Sequence, residues 1–261
     1  MSGAEDGPTV LLLHNGVCDG RMWDRQMTTL AGGRRVIRCD LPGFGRSPYP
    51  GGPVSYAREV LATLDELGVA SASIVGNSLG ARVALDMARV APERVLALVL
   101  AAPGRRGWEW SDAVRRYGEA EDAAFAAGDV ERVVDVNVRF WLDGPHRTPE
   151  QVDPGLRTAV ATMQREDVER LLATPGAAGL EELPDPAPGS PVAGVRAPAL
   201  ILVGDLDVPD MLAIAEAYER ELPNARRVVM HGVAHMPSLE RPDEFDALVL
   251  ELLSAAEARE S

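Results

Sequence analysis

Ala72-Ser73-Ile74-Val75-Gly76-Asn77-Ser78-Leu79-Gly80 is the stretch whose reading decides the fold. A short apolar run stops at Gly76, and from Leu79 onward the apolar residues Leu79, Val83 and Met87 recur at helical spacing. A strand, a sharp turn and a helix in direct succession form the setting in which a nucleophilic serine is presented. The glycines follow from the geometry. So tight a turn presses residues 76 and 80 together, and side chains at both positions would collide. The serine at the tip takes a strained backbone conformation. Its hydroxyl then stands at the carboxyl end of a strand, beside the N–H groups of a helix N-terminus, where a developing oxyanion is best stabilised.

Working outward, the same alternation repeats. Apolar runs at residues 9–13, 35–39, 71–75, 95–100, 199–203 and 226–230 read as strands, and their continuity implies burial on both faces, as in a parallel sheet. Ser55 caps a helix carrying Val60, Leu64 and Leu67 and stopped by Gly68. Further helices are expected after Ser78, from Met211 to Leu222, and from Pro242, which has Asp243 and Glu244 in its first turn. The pattern predicts an α/β fold with a mostly parallel, doubly wound sheet. One segment breaks the rhythm. Residues 104–173 carry polar and Ala-rich helical stretches and no buried strand, and Leu172 to Pro198 reads as a long Pro-, Gly- and Ala-rich loop. A core of residues 1–103 and 174–261 with a helical lid at 104–173 is the expected organisation.

Composition narrows the function. The chain has 261 residues, 46% of them apolar, and a formal charge of −14. That length suits one α/β domain with an insertion, and the charge argues against nucleic acid or an anionic membrane surface as partner. No apolar run reaches the length of a membrane span, and Met1 to Pro8 is polar and acidic without a signal-peptide pattern. Two cysteines, Cys18 and Cys39, make neither a disulfide framework nor a metal cluster. The expectation is a cytoplasmic protein with no metal and no cofactor. Its oligomeric state is not readable.

A serine hydroxyl needs a base to take its proton, and that base needs an orienting acid. Four histidines are available: His14, His146, His231 and His235. His235 lies in the small-residue loop Gly232-Val233-Ala234-His235-Met236-Pro237, after the last strand and before the last helix, which puts it at the same sheet edge as Ser78. It is the expected base. His231, at a strand end, reads as structural, and His146 lacks supporting context. For the acid, Val203-Gly204-Asp205-Leu206-Asp207-Val208-Pro209 follows a strand; Asp207 is preferred, with Asp205 next and read as holding the turn. The oxyanion donors are expected to be the backbone N–H groups of Leu79 and of Gly16 in Leu13-His14-Asn15-Gly16-Val17, with Val17 as the fallback. His14 reads as a hydrogen-bonding partner of the loop backbone.

With these residues in order the chain resembles the α/β-hydrolase superfamily, in the branch of small esterases, lactonases, carbon–carbon bond hydrolases and cofactor-free haloperoxidases. The resemblance rests on Leu12 to Gly16, Cys39-Asp40-Leu41-Pro42-Gly43-Phe44-Gly45-Arg46-Ser47, Gly76 to Gly80, Gly204 to Pro209, and Gly232 to Pro242, and it spans nearly the whole chain outside the lid. It implies an α/β-hydrolase fold with Ser78, Asp207 and His235 as triad, in the chain order that fold uses. It also implies that the Asp40-to-Ser47 turn is structural and shapes the pocket rim. There are three departures. Eight residues precede the first apolar strand where the family begins with a β-hairpin, so the sheet is expected to be shorter by two strands or the start codon to be internal. The usual His-Gly pair reads His14-Asn15-Gly16. Met236 follows the histidine where ring-fission-product hydrolases often carry Trp.

The resemblance implies a serine hydrolase acting on a small ester, lactone or related acyl substrate. The alternatives on the same fold are a carbon–carbon hydrolase, a thioesterase, a non-hydrolytic lyase or cyclase, and a low-turnover ligand receptor. Asn77, Trp108, Trp141 and Met236 are candidate pocket residues, and aromatics there would suit a hydrophobic small-molecule substrate. Arg105, Arg106 and Arg139 of the lid read as solvated.

Overall fold

The computed structural model describes residues 1–176, 186 and 191–260. Its strands are β1 (Ser2–Gly3), β2 (Thr9–Leu13), β3 (Arg35–Cys39), β4 (Ala72–Asn77), β5 (Val95–Ala101), β6 (Ala199–Gly204) and β7 (Ala225–Met230). Six of these are the apolar runs of the sequence. They form one sheet in the order β1-β3-β2-β4-β5-β6-β7. Every pairing is parallel except that of β1 with β3, which is antiparallel and two residues long. In the place where a hairpin was expected to be missing, the structure has this short edge strand.

The helices are α1 (Gln26–Thr29), α2 (Tyr56–Glu66), α3 (Leu79–Val90), α4 (Asp112–Ala126), α5 (Val130–Asn137), α6 (Pro154–Ala173), α7 (Pro209–Glu221), α8 (Pro237–Glu240) and α9 (Pro242–Glu260). Alternate strand residues face opposite layers. Leu11, Leu13 and Ile74 pack with α2, α3 and α7 on one side, and Val10, Leu12 and Val75 with Phe245, Val249 and Leu253 of α9 on the other. Both faces are thus covered, which is why these strands read as continuous apolar runs. Local signals set the helix ends as expected. The Ser55 hydroxyl accepts from the Arg58 N–H at the start of α2, and Gly68 takes φ +67° just past its end.

Between β5 and β6, residues 104–173 hold α4, α5, a π-helical turn at Val138–Asp143 and α6, with no strand among them. The expected loop from Leu172 to Pro198 begins after α6 ends at Ala173, and residues 177–185 and 187–190 of it lie outside the described residues. No helix among the described residues is long and apolar enough to cross a membrane.

The strand order creates the site's location. From β2 the chain moves outward to β3, then returns to place β4 on the other side of β2. In open α/β sheets, ligands bind outside the carboxyl ends of the strands at such a reversal. The loop after β2 and the turn after β4 both end there.

Candidate active site

Ser78 sits between β4 and α3 at φ 52°, ψ −106°, and Ala102 is the only other non-glycine residue with positive φ among those described. A left-handed backbone of this kind costs on the order of 1–3 kcal/mol. The surroundings hold it in place: the Ser78 N–H donates to the Ala101 carbonyl at 2.8 Å, and its own carbonyl accepts from Arg82 at 3.0 Å. The flanking glycines are required, each for a different contact. A Cβ on Gly76 would lie 2.4 Å from the Gly80 carbonyl carbon, whereas a Cβ on Gly80 would lie 2.2 Å from the Leu13 carbonyl oxygen of β2. The squeeze expected between positions 76 and 80 is therefore half of the story; the other half is the neighbouring strand.

His235 follows β7, and Asp207 follows β6. Asp207 Oδ2 lies 2.9 Å from His235 Nδ1, and both side chains are almost fully buried, at 1% and 2% exposure. The second carboxylate oxygen of Asp207 accepts from the Val208 N–H at 2.8 Å. This carboxylate fixes the imidazole with Nε2 pointing away from it. The Ser78 hydroxyl makes no hydrogen bond to the imidazole in this conformation. Catalytic hydrogen bonds in free enzymes are often long and tighten only when substrate binds.

Two supports of this loop were missed in the sequence. The Glu240 carboxylate accepts from the N–H groups of Ala234 at 3.0 Å and Met236 at 2.9 Å, bracketing His235, and Arg147 donates to it at 2.7 Å. An acidic residue at the end of a Pro-started turn of helix, a few residues after the histidine, was the available signal. Asn77 is the second. Its Nδ2 donates to the carbonyls of His235 and Ala101, both at 3.1 Å, and its Oδ1 accepts from Asn15 at 3.2 Å. The residue before the serine thus ties the histidine loop and the loop after β2 to the elbow.

The Gly16 and Leu79 N–H groups have no hydrogen-bond partner among the described residues, and a Cβ on Gly16 would meet only Leu79 Cδ2, at 3.9 Å. The loop after β2 thus passes the Leu79 side chain at Gly16. Val17, the fallback, donates to Asn15 Oδ1 at 3.0 Å and is engaged. His14 is fully buried; Nδ1 contacts the Asn15 carbonyl at 2.6 Å and Nε2 accepts from the Leu41 N–H at 2.9 Å. Burial lowers its pKa, so a neutral imidazole bonds loop backbone at both nitrogens. The Asp40 carboxylate accepts from the Gly20 and Arg46 N–H groups and shapes the rim turn.

Residues 10–248 match the α/β hydrolase family. The chain belongs to it. It is 28% identical over 251 residues to a pimeloyl-acyl-carrier-protein methyl ester esterase of Aeromonas hydrophila, covering 93% of this chain and 94% of that one. It is also 29% identical to the dihydrolipoyllysine-residue acetyltransferase component of the acetoin cleaving system of Pseudomonas putida, of which it spans 65%. Among solved structures, a hydrolase from Pseudomonas aeruginosa superposes with a TM-score of 0.76 at 26% identity, over 97% of this chain and 92% of that one.

Around the His235 imidazole the candidate pocket residues divide. Trp141, on the π-helical turn, lies over His235 with ring centroids 4.3 Å apart, and is braced edge-on by Phe140 and Tyr117. Wide turns of this kind recur at functional sites. Trp108 has no ring contact with His235; it lies beneath the Arg105 guanidinium, 5.9 Å from its ring centroid. Met236 is fully buried in the core with Val233 and Phe245, and both polar atoms of Asn77 are already bonded. The three arginines expected to be solvated are all paired: Arg105 with Glu221 at 2.9 Å, Arg106 with Asp86 at 3.3 Å and Arg139 with Asp143 at 2.6 Å. The partners of Arg105 and Arg106 are distant in sequence, which hides those pairings from a linear reading, whereas Arg139 and Asp143 are one helical turn apart.

Proposed function

We propose that this α/β hydrolase is a serine hydrolase that cleaves a small ester, lactone or related acyl substrate. The observation that carries the reading is the buried Asp207–His235 pair at the sheet edge where Ser78 is held in a strained turn. Ser78 Oγ attacks the carbonyl carbon while His235 Nε2 takes the hydroxyl proton. Asp207 keeps the imidazole in the tautomer protonated on Nδ1 and stabilises the imidazolium. The oxyanion accepts from the N–H groups of Leu79 and Gly16, each such donor being worth about 10²–10³ in rate. Collapse expels the alcohol, which receives the proton from His235; water then attacks the acyl-enzyme with the same imidazole as base. Residues 104–173 serve as the lid, with Trp141 as its contact with the imidazole.

A carbon–carbon hydrolase is the second reading, favoured by the Gly-Asn-Ser elbow and by the indole that Trp141 lays on His235, where Met236 supplies none. A fluorophosphonate probe tests the first reading. The wild-type chain should be labelled and Ser78→Ala should not, and p-nitrophenyl butyrate should turn over faster than a vinylogous 1,5-diketone. A chain that resists the probe contradicts the nucleophile; a preference for the diketone moves the chemistry to the second reading.

A further inference from the structure

Gln164, Asp167, Val168 and Leu171 recur at i, i+3, i+4 and i+7 along α6 and so share one face. That face lines a cavity of about 300 Å³, which reaches Gly16 and is otherwise walled by aromatic side chains such as Phe44 and Phe125 and by Glu121, whose carboxylate accepts from Asn137 at 2.7 Å. Glu121 is thus paired, and the two polar residues that α6 brings to this wall require an explanation. Gln164 is 6% exposed and Asp167 9%. Gln164 Oε1 and Asp167 Oδ2 are buried and have no hydrogen-bond partner among the described residues.

Asp167 is not free to turn. Its other oxygen accepts from the Gly45 N–H at 2.9 Å and from Arg170 at 2.7 Å, and Arg170 also donates to the carbonyls of Gly43 and Ser47. The carboxylate is thereby clamped between α6 and the rim turn with one acceptor to spare. Burial pushes its pKa up to about 6, as expected of a carboxylate short of partners. Both orphaned atoms are acceptors, and a buried acceptor left unpaired bears its full desolvation penalty. What complements them is a ligand that brings a donor.

We propose that this cavity takes the part of the substrate remote from the scissile carbonyl, an apolar chain bearing a hydroxyl or amide N–H. Gln164 and Asp167 are the residues that select for that donor. This rests on the serine-hydrolase reading, with Gly16 linking the cavity to the oxyanion site.

The test compares matched substrates that differ only in the donor. One series is p-nitrophenyl ω-hydroxyalkanoates against the ω-methoxy analogues, four to ten carbons long. The other is butyrate esters of α,ω-diols against their monomethyl ethers. At the chain length that reaches α6, the hydroxyl compound should win in kcat/KM by about tenfold. Gln164→Met should reduce that ratio toward unity. Asp167→Asn, which keeps the acceptor for Gly45 but puts an amide donor at the free position, should reverse it in favour of the ether. A ratio taken within one variant is insensitive to general damage to the fold. Preference for the ether at every length in both series, or the same ratio in all three proteins, overturns the inference and assigns the acceptors to ordered water. Fluorophosphonate labelling separates the two levels. A labelled, ester-cleaving chain without the preference loses only this inference, whereas a chain that neither reacts nor cleaves any ester loses the hydrolase reading and this one with it.

Discussion

Two aspartate–histidine pairs stand at the same edge of the sheet, built from the same two loops. Asp207 meets His235 and Asp205 meets His231, each with 2.9 Å between oxygen and nitrogen. By distance they are indistinguishable. Their surroundings separate them. His235 and Asp207 are almost fully buried, one under the Trp141 indole, while the His231 side chain is 89% exposed. Asp205 also accepts from the Gly232 N–H at 2.7 Å, so it closes the β7 turn. The lesson is that an orienting carboxylate is defined by what it immobilises. The buried pair has one geometry available to it; the exposed pair exchanges with water, and its attraction is screened.

The comparison breaks most easily at the histidines. His235→Ala should lower kcat on p-nitrophenyl butyrate by about 10⁶, the scale seen when a triad base is removed, while His231→Ala stays within about twofold, the scale of an exposed pair. Similar losses in both would erase the distinction. The acids come next. Asp207→Asn should lower kcat by about 10⁴, because the amide favours the wrong imidazole tautomer; Asp205→Asn should lose less than about tenfold, through the turn alone. Steady-state kinetics on the two variants decide it, and the opposite ranking would make Asp205 the acid.

A third substitution sharpens the comparison by acting on the loop rather than the pair. Glu240 accepts from the N–H groups on either side of His235 and from Arg147. Glu240→Ala leaves two backbone donors unpaired in a buried place. Turnover should fall by about tenfold, with KM little changed, since charge-assisted bonds of this kind are worth roughly 1.5–3 kcal/mol and water replaces part of that. No change in kcat would show that Asp207 alone orients the ring.

How much of this was legible in the sequence follows from which interactions are local. The strands were readable because a parallel strand covered on both faces has to be apolar along its whole length. The elbow was readable because glycine is demanded at fixed offsets from the serine, and the contact of Asp207 with His235 because few acids follow a strand before that histidine. What stayed hidden joins distant parts of the chain. Gly80 is forced by the Leu13 carbonyl on a neighbouring strand. Asn15 reaches Asn77 across 62 positions. Some arginines of the helical segment find carboxylates that no window along the chain would show, as with Arg105 and Glu221, 116 positions apart. Such pairings depend on where the loops come to rest, and a linear pattern carries no record of that.

The smallest effect belongs to the exposed pair, and pH reveals it. Burial alone would raise the Asp205 carboxyl, but the hydrogen bond from His231 and those from the Gly232 and Val233 N–H groups outweigh it and hold the carboxyl below its ordinary value. A carboxyl depressed in the folded state contributes stability above its unfolded value, near 4, and that contribution disappears as pH falls through the folded value. Asp205→Asn should therefore cost about 0.2–1 kcal/mol in urea unfolding at pH 7 and almost nothing near pH 2. The difference should also shrink in high salt, because an exposed pair is screened. A deficit that persists undiminished at pH 2 would mean that Asp205 works through its shape in the turn and that its charge is incidental.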